Sequence, residues 1–384
     1  MPAHTALIAA WARSAVAPHG GAFRTLQPHE IAAPVLRALL QRAGVGPQAV
    51  DAVVLGNALG AGGNPARMVA LAAGLPDRCA ALSVDTQCCA GLDAVAMAVG
   101  LLASGQARVV IAGGVEAWSR APIRQTRPLH VGAPAVPYER PAFAPDPARD
   151  PDLLESAAAY ARQHGFTRVQ QDAYAVHSHQ RALHHQASMA AEIVPVLGLD
   201  HDAYVRAITP ERAARMPLAI KGDVPDDWAM STLAVSAKAD GAALVLLATE
   251  DACQELSITP QAAWLASAFV GGDPATPLLA AQAATEIAMQ RAGVQAASAL
   301  RVVELHDAFA VQGLRFCQGL GLDPQLINRR GGGMARGHPI GASGAIALVR
   351  LLADLQQDEA AGALGLAAVA GAGGIGAATV VQWL

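Results

Sequence analysis

Aromatic residues supply only 4% of this 384-residue chain and charged residues only 15%, against a charged share of roughly 25% in an average soluble domain. With 53% of residues apolar, such a shortage of charge excludes a disordered or polyelectrolyte chain and implies a large interior. The balance of charge, 27 − 31 = −4, builds in no general attraction to nucleic acid or anionic lipid, so neither is expected as a partner. Cysteine is scarce: Cys79, Cys88, Cys89, Cys253 and Cys317 form no C-x-x-C pair. That excludes a disulfide framework and a zinc site, and fits a reducing, cytoplasmic compartment with no metal. No basic residue precedes the apolar run 6–12, and Arg13 ends it early, which argues against a signal peptide and for a first strand. The charge-free run 363–384 has the length of a membrane span, but five glycines and Gln382 interrupt it. With Thr379, Val380 and Val381 clustered near its end, it reads as two buried strands joined by a Gly-rich turn.

What the chain has in abundance is small residues, with 37 glycines, and a repeat. Gln41-Arg-Ala-Gly-Val45 recurs as Gln290-Arg-Ala-Gly-Val294, and at the same offset, 290 − 41 = 249, Val53-Val54 matches Val302-Val303. Each copy reads as an amphipathic helix (31–43 and 279–292) ending at Gly44 or Gly293, followed by an apolar strand, which pairs Asn57 with His306. Downstream, each copy offers a further helix and strand: 91–104 then 109–114, and 343–355 then 366–374. Two copies of one α/β unit are the economical reading. Between them, eight prolines in residues 122–151 exclude regular helix and mark an excursion. A helix over 168–191 and a polar stretch to Asp227 follow, and a strand over 243–247 returns the chain to the first unit's sheet.

Several motifs invite function. Gly371-Ala-Gly-Gly-Ile-Gly376 matches G-x-G-x-x-G, yet only eight residues follow it, too few for the helix, strand and acidic residue of a dinucleotide site. Gly341-Ala-Ser-Gly344 lacks the Lys of a phosphate loop. His177, His179, His184 and His185 crowd one helix without a carboxylate or cysteine at ligand spacing, and are read as a solvated face. Cys88 and Cys89 fall between a short strand (82–85) and a helix starting near Gly91. A thiol there feels the positive helix end and free N–H groups, which favour thiolate, while the bland alternative is a buried inert thiol. His338 stands in a Gly- and Pro-rich turn feeding a helix, a backbone suited to presenting one side chain, and His306 ends a strand where α/β sheets place their crevices. One Cys and two His at strand-to-helix junctions of equivalent units make a thiol–imidazole site plausible.

These residues resemble the thiolase family nearly end to end. Cys88-Cys-Ala-Gly-Leu92 resembles its nucleophile motif, Ala112-Gly-Gly-Val-Glu-Ala-Trp-Ser119 the run after it, and Gly331-Gly-Gly-Met-Ala-Arg-Gly-His-Pro-Ile-Gly-Ala-Ser-Gly344 its histidine loop. The resemblance implies an α/β protein with two similar βαβαβαββ halves in a layered α/β/α/β/α core: a first half over 1–120 completed by 231–257, an inserted loop domain over 121–230 that binds coenzyme A or substrate, and a second half over 258–384. It implies an acyltransferase of lipid metabolism with no permanently bound cofactor, taking acyl-CoA or 3-ketoacyl-CoA as substrate. Cys88 would be the acyl-accepting nucleophile and His338 its base. The backbone N–H groups of Cys88 and of Ala372 in the Gly371–Gly374 turn, with Gly373 beside it, would form the oxyanion site. Ser236 would contact the pantetheine arm of coenzyme A. An exposed apolar edge strand would pair two chains into a homodimer, or a homotetramer as a dimer of dimers.

Two departures bear on the chemistry. The family's Asn-Glu-Ala-Phe is His306-Asp-Ala-Phe309 here, closer to the sterol-carrier-protein type, and Ala308 and Ala370 stand where members carry a second, acid/base cysteine. The surviving Cys88, His306 and His338 resemble the Cys-His-His set of decarboxylating ketoacyl synthases. Three readings follow: thiolytic cleavage or condensation of acyl-CoAs with His306 serving the carbon–carbon step, decarboxylating condensation, or a homologue that binds CoA esters without turnover.

Overall fold

The computed structural model describes residues 6–60, 62–220 and 226–384. The chain builds its first sheet from β1 (Leu7–Ser14), β2 (Ala52–Gly56), β3 (Ala80–Val84), β4 (Val109–Ala117) and β5 (Ala239–Ala248). Their order is β1-β5-β4-β2-β3, antiparallel at β1·β5 and β5·β4 and parallel beyond. The second sheet, from β6 (Ala262–Gly271), β7 (Val302–His306), β8 (Leu364–Gly371) and β9 (Ile375–Trp383), repeats it as β6-β9-β8-β7. In the place of β3, Ile327 alone bridges Val303 of β7 in parallel. The sheets meet where Leu7 and Ile8 of β1 pair with Ala263 and Ala262 of β6. The repeat thus reflects two units of one topology, and Asn57 and His306 do mark the ends of equivalent strands. The charge-free run is the hairpin β8–β9, buried along almost all its length.

Small residues explain the layering. Helices α1 (Pro28–Ala43) and α3 (Ala280–Arg291) cover the outer face of the first and second sheet. Helices α2 (Ala90–Ala103) and α4 (Ser343–Asp358) lie together between the sheets, their Ala, Leu and Val side chains sharing one core with inward residues such as Val110, Val245, Val369 and Val381. The result is five layers, α/β/α/β/α. The central pair fits because glycine stands at its crossing: a Cβ on Gly91 would lie 2.8 Å from the Gly341 carbonyl oxygen, and one on Gly344 2.8 Å from the Leu92 Cβ. α1 and α3 run up to Gly44 and Gly293, both left-handed at φ 66° and 73°, as Gly at a helix terminus is used.

The excursion carries the short hairpin Arg124–Thr126 and Val136–Tyr138 and the helices Leu153–Gln163 and Arg168–His184; residues 221–225 of the polar stretch lie outside the described residues. It is clamped to both halves by charges that hydropathy gave no reason to expect inside. Arg13 of β1, wholly buried, meets Glu192 at 2.6 Å and Asp202 at 2.7 Å, and Glu192 also holds Arg350 of α4. Desolvation offsets much of the attraction in buried ion pairs of this kind. The histidine cluster needs correction. His184 is exposed, but His179 is fully buried and accepts a hydrogen bond from the Arg206 N–H at 3.3 Å, so that helix turns a histidine inward. Among the described residues no cluster fit for a metal ion occurs and no helix is long and apolar enough to cross a membrane.

Candidate active site

Cys88 sits in the tight turn Gln87–Cys89 between β3 and α2. The preceding residue, Gln87, has φ +53°, a left-handed conformation that L side chains rarely adopt. Strain of this kind persists where surrounding structure holds it, and here the Asp85 side chain accepts the Gln87 N–H at 3.1 Å. The histidine loop reaches the cysteine because glycines clear its path. A Cβ on Gly114 would stand 2.0 Å from the Gly341 carbonyl oxygen, and one on Gly56 2.6 Å from the same atom. Glu116, buried and pushed up to about 7 by that burial, fastens the loop by accepting the Gly341 N–H at 3.0 Å and the Ala58 N–H at 3.0 Å.

The outcome is a contact of 3.2 Å between Cys88 Sγ and His338 Nε2. The tautomer of His338 follows from its other edge. Ser343 Oγ lies 2.7 Å from Nδ1 and 2.9 Å from the Pro339 carbonyl oxygen; its one proton goes to the carbonyl, so it accepts from Nδ1–H. Nε2 therefore carries a lone pair aimed at the thiol, the arrangement of a general base. Burial pushes the Cys88 thiol up to about 11, opposed by the N–H groups of Ala372 and of Cys88 itself at the sulfur, and pushes His338 down to about 4. The helix-end argument for a resting thiolate is thus corrected: removal from water outweighs the dipole, and the pair rests neutral.

Cys89 leaves the site, its sulfur directed at the Val369 carbonyl oxygen at 3.7 Å in the core. Ala372 stands beside Cys88 in the cavity wall, and Gly373, φ +82°, turns the chain from β8 to β9. Ser236 donates its N–H to the Ala308 carbonyl at 2.9 Å and its hydroxyl to the Gly333 carbonyl at 2.7 Å, tying the two loops together. His306 ends β7 and packs against His338. It is 3% exposed, with its ring stacked on His338 at 4.3 Å, and burial together with the neighbouring His338 and Arg336 holds it well below the usual histidine range. His338 thus meets Cys88 at its edge and His306 on its face.

A cavity of about 100 Å³ opens at Cys88, His338, Ala372 and Ser236. Leu153 and Ala157 of the excursion with Val235, Pro277, Leu278 and Phe309 give it an apolar lining, and both Ala308 and Ala370 face it. Sequence reasoning missed Gln312, which also lines this cavity; its only signal was a polar residue one helical turn past Ala308. Ser343 was missed too, although it stood inside the quoted histidine loop.

The arrangement is that of an acyl-transfer site: a cysteine, a base on it, and backbone donors at the sulfur, within two fused copies of one α/β unit. Residues 6–251 match the family model described as thiolase, N-terminal domain, and residues 258–383 that described as thiolase, C-terminal domain. An acetyl-CoA acetyltransferase of Thiocystis violacea is 35% identical, aligning over 97% of each chain, and one of Rhizobium meliloti (strain 1021) is 35% identical over 98% of each. Among solved structures, the Bacillus anthracis acetyl-CoA acetyltransferase superposes with a TM-score of 0.90 at 30% identity, covering 100% of this chain and 99% of that one. The Acat5 thiolase from Ascaris suum in complex with coenzyme A gives 0.89 at 28% identity, covering 99% and 100%. The chain belongs to the thiolase family and is an acyltransferase of that fold.

Proposed function

We propose that the protein transfers acyl groups between coenzyme A thioesters through an acyl-Cys88 intermediate, cleaving 3-ketoacyl-CoA with CoA or condensing acyl-CoAs. The observation that carries this is the 3.2 Å contact of the Cys88 thiol with an Nε2 lone pair whose tautomer Ser343 fixes. His338 takes the thiol proton as sulfur attacks the carbonyl carbon, and the oxygen that gains charge is received by the N–H groups of Cys88 and Ala372, with Gly373 shaping their turn. Ser236, its proton given to Gly333, keeps an oxygen free to accept a pantetheine amide N–H. The division into two halves and an inserted domain over 121–230 fits this use, since Leu153, Ser156 and Ala157 of the insertion wall the cavity. The coenzyme A thioesters are substrates, and no permanently bound cofactor enters the proposal.

The reading extends to assembly and place. β3 ends the first sheet with Ala80, Leu82 and Ser83 exposed, an unpaired edge next to the nucleophile turn, and a second copy pairing there would give the homodimer, with a homotetramer as its further stage. Five unpaired, buried cysteines accord with a cytoplasmic setting.

One observation favours a second reading. With Ala308 and Ala370 both in the wall, no thiol other than Cys88 faces the cavity among the described residues, and loss of carbon dioxide from a malonyl thioester would form the carbanion without one. Intact mass after mixing with acetyl-CoA or a 3-ketoacyl-CoA is expected to reveal an acyl adduct that Cys88→Ala abolishes. Activity with malonyl-CoA alone would select the decarboxylating reading, and no adduct from any of these thioesters would leave only a CoA-ester-binding homologue.

A further inference from the structure

Between β8 and β9 the chain passes through two left-handed glycines, Gly373 at φ +82° and Gly374 at φ +78°. Glycine tolerates many conformations, so the backbone alone does not fix where the Ala372 N–H just before them points. The turn is held from both sides. Gly272 donates its N–H to the Gly374 carbonyl at 2.7 Å. On the other side the insertion lies on Gly373, where a Cβ would come within 3.2 Å of the Phe143 carbonyl oxygen and 3.7 Å of the Phe143 Cβ. Phe143 belongs to a strap of residues 140–151. Its N–H donates to Asp150 Oδ2 at 3.2 Å, and the Arg140 guanidinium lies 4.9 Å from the centre of its ring. Arg140 closes the strap: it donates to both carboxylate oxygens of Asp150, to the Asp150 carbonyl at 3.3 Å and to the Pro151 carbonyl at 2.8 Å. A two-pronged contact of guanidinium with carboxylate fixes geometry as well as charge. Solvent reaches this pair, the Arg140 side chain being 34% exposed, so breaking it is expected to cost the fold little.

We infer that Arg140 is a positioning residue for acyl transfer: by closing the strap it seats Phe143 on Gly373, and the seated turn keeps the Ala372 N–H aimed at the oxygen that takes charge. The inference rests on the acyl-transfer reading. In that step the Cys88 sulfur bonds to the carbonyl carbon and its proton passes to His338, 3.2 Å away. The carbonyl oxygen holds the electron pair until the bond to the coenzyme A sulfur breaks, and that sulfur leaves with the proton from His338. Alkylation by iodoacetamide uses the same sulfur and the same base, but the carbon attacked carries no oxygen, and iodide leaves with the electron pair. A donor moved by about an ångström is therefore costly to acylation and of small account in alkylation. The Ala372 N–H also faces the resting sulfur, so the ratio of the two rates is the measure of its aim.

The test follows both reactions of Cys88, acylation by acetyl-CoA and alkylation by iodoacetamide, by rapid-quench intact mass. Arg140→Met, which opens the clasp, is expected to slow acylation about 10- to 100-fold, the scale of a misplaced group, and alkylation no more than about twofold. Asp150→Asn keeps the side chain's shape without its charge, and should show the same selective loss in smaller measure. Because both changes break one clasp, the double variant should be no slower than Arg140→Met alone, whereas independent effects would multiply. Alkylation also reports the fold: an unfolded chain takes up five carbamidomethyl groups, one per cysteine, and a folded one a single group at Cys88. Asp150→Asn carries the test by itself if Arg140→Met takes up five. A merely structural strap slows both reactions together. If acylation and alkylation fall by the same factor, if neither falls, or if the losses multiply in the double variant, the inference is overturned while acyl transfer stands. If the parent forms no adduct with acetyl-CoA or with a 3-ketoacyl-CoA, the reading of function falls and this inference with it.

Discussion

A buried Cys–His pair rests either as thiol and imidazole or as thiolate and imidazolium, and the geometry here decides between them. Moving the proton from Cys88, near 11, to His338, near 4, crosses 11 − 4 = 7 pH units, which at about 1.4 kcal/mol each costs about 10 kcal/mol. Attraction between the charges formed returns part of it. At the 3.2 Å contact, with an effective dielectric constant near 20, it amounts to about 5 kcal/mol. The attraction returns less than the transfer costs, so the neutral pair is favoured. The thiolate's far-ultraviolet absorbance, taken as the parent minus Cys88→Ser, should be absent from pH 5 to 9 and emerge only as pH climbs toward the thiol's value near 11. On the acid side, acyl-Cys88 formation should fall as pH drops through about 4, where His338 takes up a proton and ceases to be a base. A thiolate signal already present at pH 6 would refute the reasoning, because it would mean that the N–H groups of Ala372 and Cys88 outweigh desolvation.

Three further outcomes are expected. Ser343→Ala removes the acceptor of His338 Nδ1–H and frees the ring to turn, so acylation measured by rapid quench should slow by about 10- to 100-fold with little change in melting temperature. Gly114→Ala drives a Cβ to 2.0 Å from the Gly341 carbonyl oxygen, which should lower stability by about 3 kcal/mol, seen as a fall in denaturant midpoint at constant slope. Leu82→Lys, at a 38% exposed position of the β3 edge, should leave the fold intact within about 0.5 kcal/mol yet convert the sedimenting species to monomer; a parent that sediments as a monomer would defeat the edge-pairing proposal.

The sequence by itself determined the repeat, and through it the topology. A helix ended by glycine and followed by an apolar strand is a local pattern, and writing it twice at a fixed offset forces two units of the same topology. It also named Cys88 and His338, because strand-to-helix junctions with glycine and proline have a local signature. What it did not determine were quantities that depend on neighbours far along the chain. Position at a helix end favoured a thiolate at Cys88, but the degree of burial, set by two sheets closing over α2 and α4, reversed that balance. The end of a strand pointed to His306 as a site residue, but that its ring stacks on His338 is decided only when the glycine-lined loop packs down. Hydropathy read the insertion's histidines as solvated, although Tyr204 and Arg206, brought in by a distant segment, enclose His179. Gln312 became visible only when its oxygen was found on the Ala308 N–H and its side chain in the cavity wall. Local patterns fix which elements form and in what order; burial, hydrogen-bond partners and proton affinities belong to contacts between residues hundreds of positions apart, and these exist only after the halves have met.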